Sequence, residues 1–269
     1  MRLKSALRRG VAAAVIAGIV VSSGIPAYAA RWDIADGDIT VKAGDAEGTN
    51  RVTQGEKDVE DTDTVITGES EKNTVTIDTS KGDVDVTFDD LKIDVSGKTE
   101  GDSSGDGPVY GGNAAVRVEG GGDVTIELDG DNELKSGGYN AGLEKNERES
   151  SGTLTIKDDN GKDGSLTAEG GGEGGAGIGG KHESGAGNIE ITGGTVEAVG
   201  GAGAAGIGGG VYGTGHDIEI TGGKVSATGG SYSGYEGDIR SGAAGIGDGA
   251  GTEGREIDPD APPSNPDNP

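Results

Sequence analysis

The sequence predicts an all-β chain wound as a parallel β-helix, and three observations carry that prediction. GNIEITGGTVEAVGG at 187–201 returns as HDIEITGGKVSATGG at 216–230, while AGIG at 176–179 recurs at 205–208 and 244–247. The returns are evenly spaced, because Ile178 to Ile207 and Ile189 to Ile218 are both separated by 29 residues. A fixed period of that size marks a stacked repeat. Within each copy apolar and polar residues alternate, as in Ile189/Glu190/Ile191 and Val196/Glu197/Ala198, which is the pattern of a strand with one buried face. Three short strands joined by glycine-rich corners cannot bury their own apolar side. Copies stacked along an axis bury one another.

The first 29 residues read as a secretory signal peptide. Arg2, Lys4, Arg8 and Arg9 form a basic start, VAAAVIAGIVV at 11–21 an apolar core, and Ala27-Tyr28-Ala29 a small-x-small cleavage site. The apolar run is too short to span a bilayer, so the expectation is a secreted or cell-envelope protein with no membrane insertion in its mature form. The whole chain carries a formal charge of −26. Removing those four basic residues leaves 18 Lys and Arg against 48 Asp and Glu, a net charge of −30. Such a surface repels nucleic acid and anionic membranes and attracts cations. With no cysteine, neither disulfides nor thiolate chemistry are open to it. Only 30% apolar residues, one Phe and 58 Gly would by themselves suggest disorder, but the repeat outweighs composition.

In chain order, strands are expected at GDITV (37–41), TVI (64–66), NTVTI (73–77) and DVDVTF (83–88). Val84, Val86 and Phe88 share one face, whereas Leu91, Ile93 and Val95 share another beyond Asp89-Asp90, so the chain turns a corner at the acidic pair. These first coils are irregular, as the end of a stack needs a cap, and Trp32 is expected in it. AAVRV (114–118), DVTIEL (123–128) and NELKS (132–136) follow a long polar loop. Leu143 to Leu154, Ile178 to Ile189, Ile207 to Ile218 and Ile246 to Ile257 are all separations of 11, which starts coils near Val124, Leu154, Ile189, Ile218 and Ile257. About five or six coils fit. The β-helix domain is then 30–257, and the Pro-rich segment 258–269 is a tail without structure.

Stacking fixes which outward residues become neighbours. Thr125, Thr155, Glu190, Glu219 and Asp258 should form one column, with Asp123, Thr153, Asn188, Asp217 and Glu256 beside it. Carboxylates about 4.8 Å apart repel by about 1 kcal/mol in water and about 3 at an effective dielectric of 20. Either the long side chains splay into solvent or a hard cation holds them. The second reading is Ca²⁺ bound by oxygens of Asn188, Glu190, Asp217, Glu219, Glu256 and Asp258. Tyr110, Tyr139, Tyr212, Tyr232 and Tyr235 lie in loops that stacking could gather along one edge, where exposed rings can stack on sugars. The alternative is that each packs on its own loop. The two histidines, His182 and His216, lie in loops, and no nucleophile elbow, zinc motif or phosphate loop is present. The chain therefore reads as non-catalytic. One enzymatic alternative is a polysaccharide lyase with Arg255 as its base beside the acidic columns.

The run DVTIEL, GDNEL, YNAGLEK, GTLTI, GAGIGG, GNIEITGGTVEAVGG and AGIGGG, within residues 83–250, resembles bacterial carbohydrate-binding domain-containing surface proteins of right-handed parallel β-helix fold. The resemblance implies a right-handed solenoid, secretion, calcium, and a polysaccharide or cell-surface glycan as partner. Acidic plant polysaccharides are among the ligands it implies, but the strong negative charge of this chain opposes them. Similar repeats occur in adhesin-like proteins, which leaves a purely structural or adhesive role as the alternative.

Overall fold

The computed structural model describes residues 28–97, 112–231 and 242–251. They form an all-β molecule whose strands make one large, mostly parallel sheet, nearly closed around an axis. The one helical turn among the described residues is a 3₁₀ turn at Ile34–Asp36.

Parallel pairing runs in three ladders. The first joins the front half of Val84–Asp94 to the front half of Val124–Lys135, then to Leu154–Lys157, Ile189–Ile191 and Ile218–Ile220. The second continues from the back halves of the two long strands to Gly164–Glu169, Thr195–Val199 and Lys224–Thr228. The third holds Ile39–Ala43, Val75–Asp78, Val116–Gly120, Leu143–Ser150, Ile178–Gly179, Ile207–Gly208 and Ile246–Gly247. Ile189 pairs with Leu154 on one side and with Ile218 on the other, as the 29-residue period requires.

Register converts the alternating sequence into columns. Val86, Ile126, Ile156, Ile191 and Ile220 are successive partners and point inward. The first four are buried, each side chain contributing roughly 1.5–3 kcal/mol. Ile220 is 40% exposed and Ile246 is 46% exposed, since no described strand pairs beyond them. A side chain is buried here by the next rung. The last strand of each ladder shows what stays open without one.

Two backbone features account for the glycine-rich corners. Asp90 (φ 53°) and Gly130 (φ 63°) adopt the left-handed conformation one rung apart, and a side chain at Gly130 would run into the Asp90 carboxylate. The corner expected at Asp89-Asp90 is thus a kink, with the pairing register shifting between Asp89 and Lys92. Leu91, Ile93 and Val95 are buried beyond it. In the third ladder Gly179 (φ 132°) faces Gly208, and any Cβ there would strike the Gly208 carbonyl oxygen. Close approach of successive rungs is why glycine follows the isoleucine in AGIG.

The N-terminal part departs from a purely parallel stack. Ile39–Ala43, Asn50–Gln54 and the start of Lys57–Ser70 form an antiparallel meander, its Gln54/Lys57 pair closed by a tight turn in which Gly55 has φ 58°. The Asn50–Gln54 strand was not anticipated, because RVTQ between polar loops has too few alternations to stand out. Tyr28–Asp33 adds a parallel strand beside Lys57–Ser70. Trp32 is 3% exposed and its Nε1–H donates to Asp61 Oδ2 at 2.7 Å, with Lys57 Nζ 5.9 Å from the ring centroid. It belongs to the end of the stack, as expected. Among the described residues, no helix is long and apolar enough to cross a membrane.

Candidate functional site

The outward residues of the first ladder form the expected column and extend it. Asp85, Thr125, Thr155, Glu190 and Glu219 are consecutive register partners. Beside them run Thr87, Glu127 and Lys157, and then Asp89 opposite Asp129. Asp85 and Thr87 come from DVDVTF, whose alternation already marked them as outward.

Over the N-terminal half of this face lies an open groove of about 830 Å³. The antiparallel meander contributes Thr49 and Asn50, the strand it leads into contributes Thr62, Asp63 and Thr64 beyond the antiparallel pairs, and Arg31 stands on the neighbouring parallel strand. Asn50 ties the parts together, its Nδ2 donating to the Thr64 hydroxyl (2.9 Å) and to the Asp85 carbonyl (2.6 Å). Apart from Val65, Val86 and Gly48 its lining is hydroxyl, amide, carboxylate and cation.

The insertion DDNGKDG at 158–164 folds onto the preceding rung. Glu127 Oε1 accepts the Asp159 and Asn160 N–H groups at 3.0 and 3.2 Å. Asp129 receives Asn160 Nδ2 and Lys162 Nζ, both at 2.6 Å. Lys157 Nζ lies 3.1 Å from Glu127 and 3.0 Å from Asp159, and Arg31 is 2.7 Å from Asp89. Burial works to lower the Lys157 ammonium, but its carboxylate partners outweigh that and raise it. The hydrogen bond from Lys157 lowers Asp159. Every cation of the groove is thus locked to a carboxylate.

Of the residues proposed to hold Ca²⁺, Glu190 and Glu219 are direct partners on neighbouring strands. Asn188 (φ 55°) and Asp217 (φ 49°) occupy the same left-handed corner one rung apart, their carbonyls accepting the Leu154 and Ile189 N–H groups. Asn188 Nδ2 donates to the Ser151 carbonyl (3.0 Å), and Asp217 lies 3.0 Å from His216 Nδ1. Glu256 and Asp258 fall outside the described residues. Among the described residues, no group of three or more His, Cys, Asp or Glu side chains converges as a metal site. Nearer the N-terminus the corner column relieves repulsion through the backbone: Asp83 accepts the Asp123 N–H (2.9 Å), and Asp123 accepts the Thr153 N–H (2.7 Å).

Tyr139 and Tyr212 are brought together by His182. The imidazole is edge-on to both rings, with centroids at 4.7 and 5.9 Å, and all three side chains are partly exposed. Burial lowers the His182 pKa. The loop that carries His182 is held in place, since the backbone N–H of His182 donates to the Tyr139 carbonyl at 2.8 Å and seats the residue between the tyrosines. Tyr110, Tyr232 and Tyr235 lie outside the described residues, as does Arg255. His216 is also engaged. It lies 3.5 Å from Glu147 and 3.0 Å from Asp217, and the hydrogen bond to Asp217 raises its pKa.

A buried polar cluster in AGLEK escaped sequence reasoning. Glu144, fully buried, is 3.0 Å from Arg117 Nε on the neighbouring strand and accepts Asn146 Nδ2 at 3.0 Å, while burial raises its pKa. Lys145 is 1% exposed and donates to the Gly187 and Ser150 carbonyls at 2.9 and 3.2 Å. Alternation of apolar residues gives no signal for polar side chains that loops later cover.

The chain matches no protein-family model, no curated protein and no solved structure.

Proposed function

We propose that this chain is a secreted or cell-surface carbohydrate-binding protein that holds a polysaccharide without transforming it, built as a right-handed parallel β-helix of five or six coils. The observation that supports the reading best is the groove. It is open, about 830 Å³, and lined by hydroxyls, amides and carboxylates at rung spacing, which suits a ligand rich in hydroxyl groups. The Tyr139–His182–Tyr212 strip offers partly exposed ring faces for the C–H surface of a pyranose. Ca²⁺ at Glu190 and Glu219, joined by Asn188 and Asp217, would relieve their repulsion and steady that end of the face. Export would release a chain beginning at Ala30, which retains the pairs from Ala30/Thr64 to Asp33/Thr67.

The test is a glycan array probed with the full chain, with Ca²⁺ and with EDTA. A hit that weakens in Tyr139→Ala or Tyr212→Ala supports binding at the strip. Retention at the cell envelope with no glycan hit would replace this reading by a structural or adhesive one. Unsaturated uronate products absorbing in the ultraviolet would make the chain a lyase.

A further inference from the structure

We propose that the groove takes a glycan bearing free amino groups, with its ammonium charges seated on Asp63 and Asp85. The inference rests on the carbohydrate-binding reading and narrows its ligand class.

The argument starts from charge. Seven carboxylates line the groove against three cations, Arg31, Lys157 and Lys162. Each cation is already committed, to Asp89 at 2.7 Å, to Glu127 and Asp159 at 3.1 and 3.0 Å, and to Asp129 at 2.6 Å. No basic group is left to meet a uronate. On the opposite side of the balance, Asp83 is engaged by the Asp123 N–H, whereas Asp63 and Asp85 are exposed and have no side-chain partner. The Asn50 amide bonds Thr64, next to Asp63, and the Asp85 carbonyl, so both acids stand on strands fastened to one side chain.

A polyuronate would add negative charge where negative charge is already in excess, and the field of the whole chain would repel it before contact. A neutral sugar would leave Asp63 and Asp85 without a counter-charge. An amino sugar gives each a charge-assisted hydrogen bond, roughly twice as strong as a neutral one, while Thr87, Thr125 and Thr155 exchange hydrogen bonds with ring hydroxyls. Discrimination then comes from rejecting acidic polymers as well as from attracting basic ones.

The experiment is calorimetric titration of the full chain with oligomers of β-1,4-linked glucosamine, their fully N-acetylated counterparts and oligogalacturonate, at low and high salt. The expected result is binding of the free amine at least about tenfold tighter than of the N-acetylated form, weakening as salt rises. Asp63→Asn/Asp85→Asn should abolish the preference, and Glu71→Gln/Glu197→Gln, an equal change of charge away from the groove, should retain it. Equal affinity for the N-acetylated form, preference for oligogalacturonate, or equal loss in the control pair would overturn the inference while leaving carbohydrate binding intact. Failure of all three oligomers to bind would overturn the inference, whereas the carbohydrate-binding reading falls only if the glycan array is also blank.

Discussion

Glu190 and Glu219 stand directly opposite each other on adjacent parallel strands, two like charges one strand spacing apart on the outer face. No basic side chain pairs with either among the described residues. If Ca²⁺ neutralises them, EDTA lowers the melting temperature and added Ca²⁺ restores it. Glu219→Gln should remove most of that response and raise the melting temperature in EDTA. An EDTA scan that superimposes on the Ca²⁺ scan ends the cation reading.

The inward column grades from closed to open, and the cost of truncation should follow. Ile156 is fully buried between Ile126 and Ile191, so Ile156→Ala is expected to destabilise by about 2–5 kcal/mol. Ile220, 40% exposed on the last rung, should cost well under half as much. Urea denaturation of both variants checks the gradient, and equal losses would contradict it.

Lys145 predicts a dependence on alkaline pH. Burial, only partly offset by the charge of Asp123, brings its ammonium down to about 8 from an ordinary 10.5. Between those values the unfolded chain holds the proton and the folded chain does not, so stability rises with pH across that window. The rise is at most about 3 kcal/mol at 1.36 kcal/mol per pH unit. Lys145→Met should flatten the profile between pH 8 and pH 10.5, as read by urea midpoints.

Asp78 predicts the opposite limb. It is the register partner of Lys42, with the ion pair at 2.8 Å. Burial works to raise its carboxyl, but hydrogen bonds from Lys42 and Ser80 outweigh that and hold it at about 2. The stabilisation is present above the unfolded value of 3.8 and is lost as pH falls through about 2. Asp78→Asn should therefore cost about 1 kcal/mol at neutral pH, after allowance for screening, and close to nothing below pH 2. A pH-independent loss would mean that shape, not charge, is at work.

Much of the architecture could be read before any coordinates, for a definite reason. Ile189 and Ile218 are register partners because the second copy of the repeated segment lies beside the first, so a separation in sequence translates into a distance in space. The outer column followed from the same register, and Asp85 could have been added to it from DVDVTF. Tyr139 and Tyr212 were placed near one edge by loop position alone. His182 between them was missed, since nothing in KHES marks a histidine that a neighbouring loop's carbonyl will hold.

Period and alternation were sufficient to dictate strands, inward columns and glycine corners, because those depend on contacts between a rung and its copy. The groove depended on the folded molecule. Arg31, Asn50, Asp63, Asp85, Glu127 and Lys162 come from five strands and one loop, and an antiparallel meander and a docked insertion bring them to one face. Contacts between unlike segments obey no period, so only packing in three dimensions could decide which acids were spent on internal cations and which remained facing solvent.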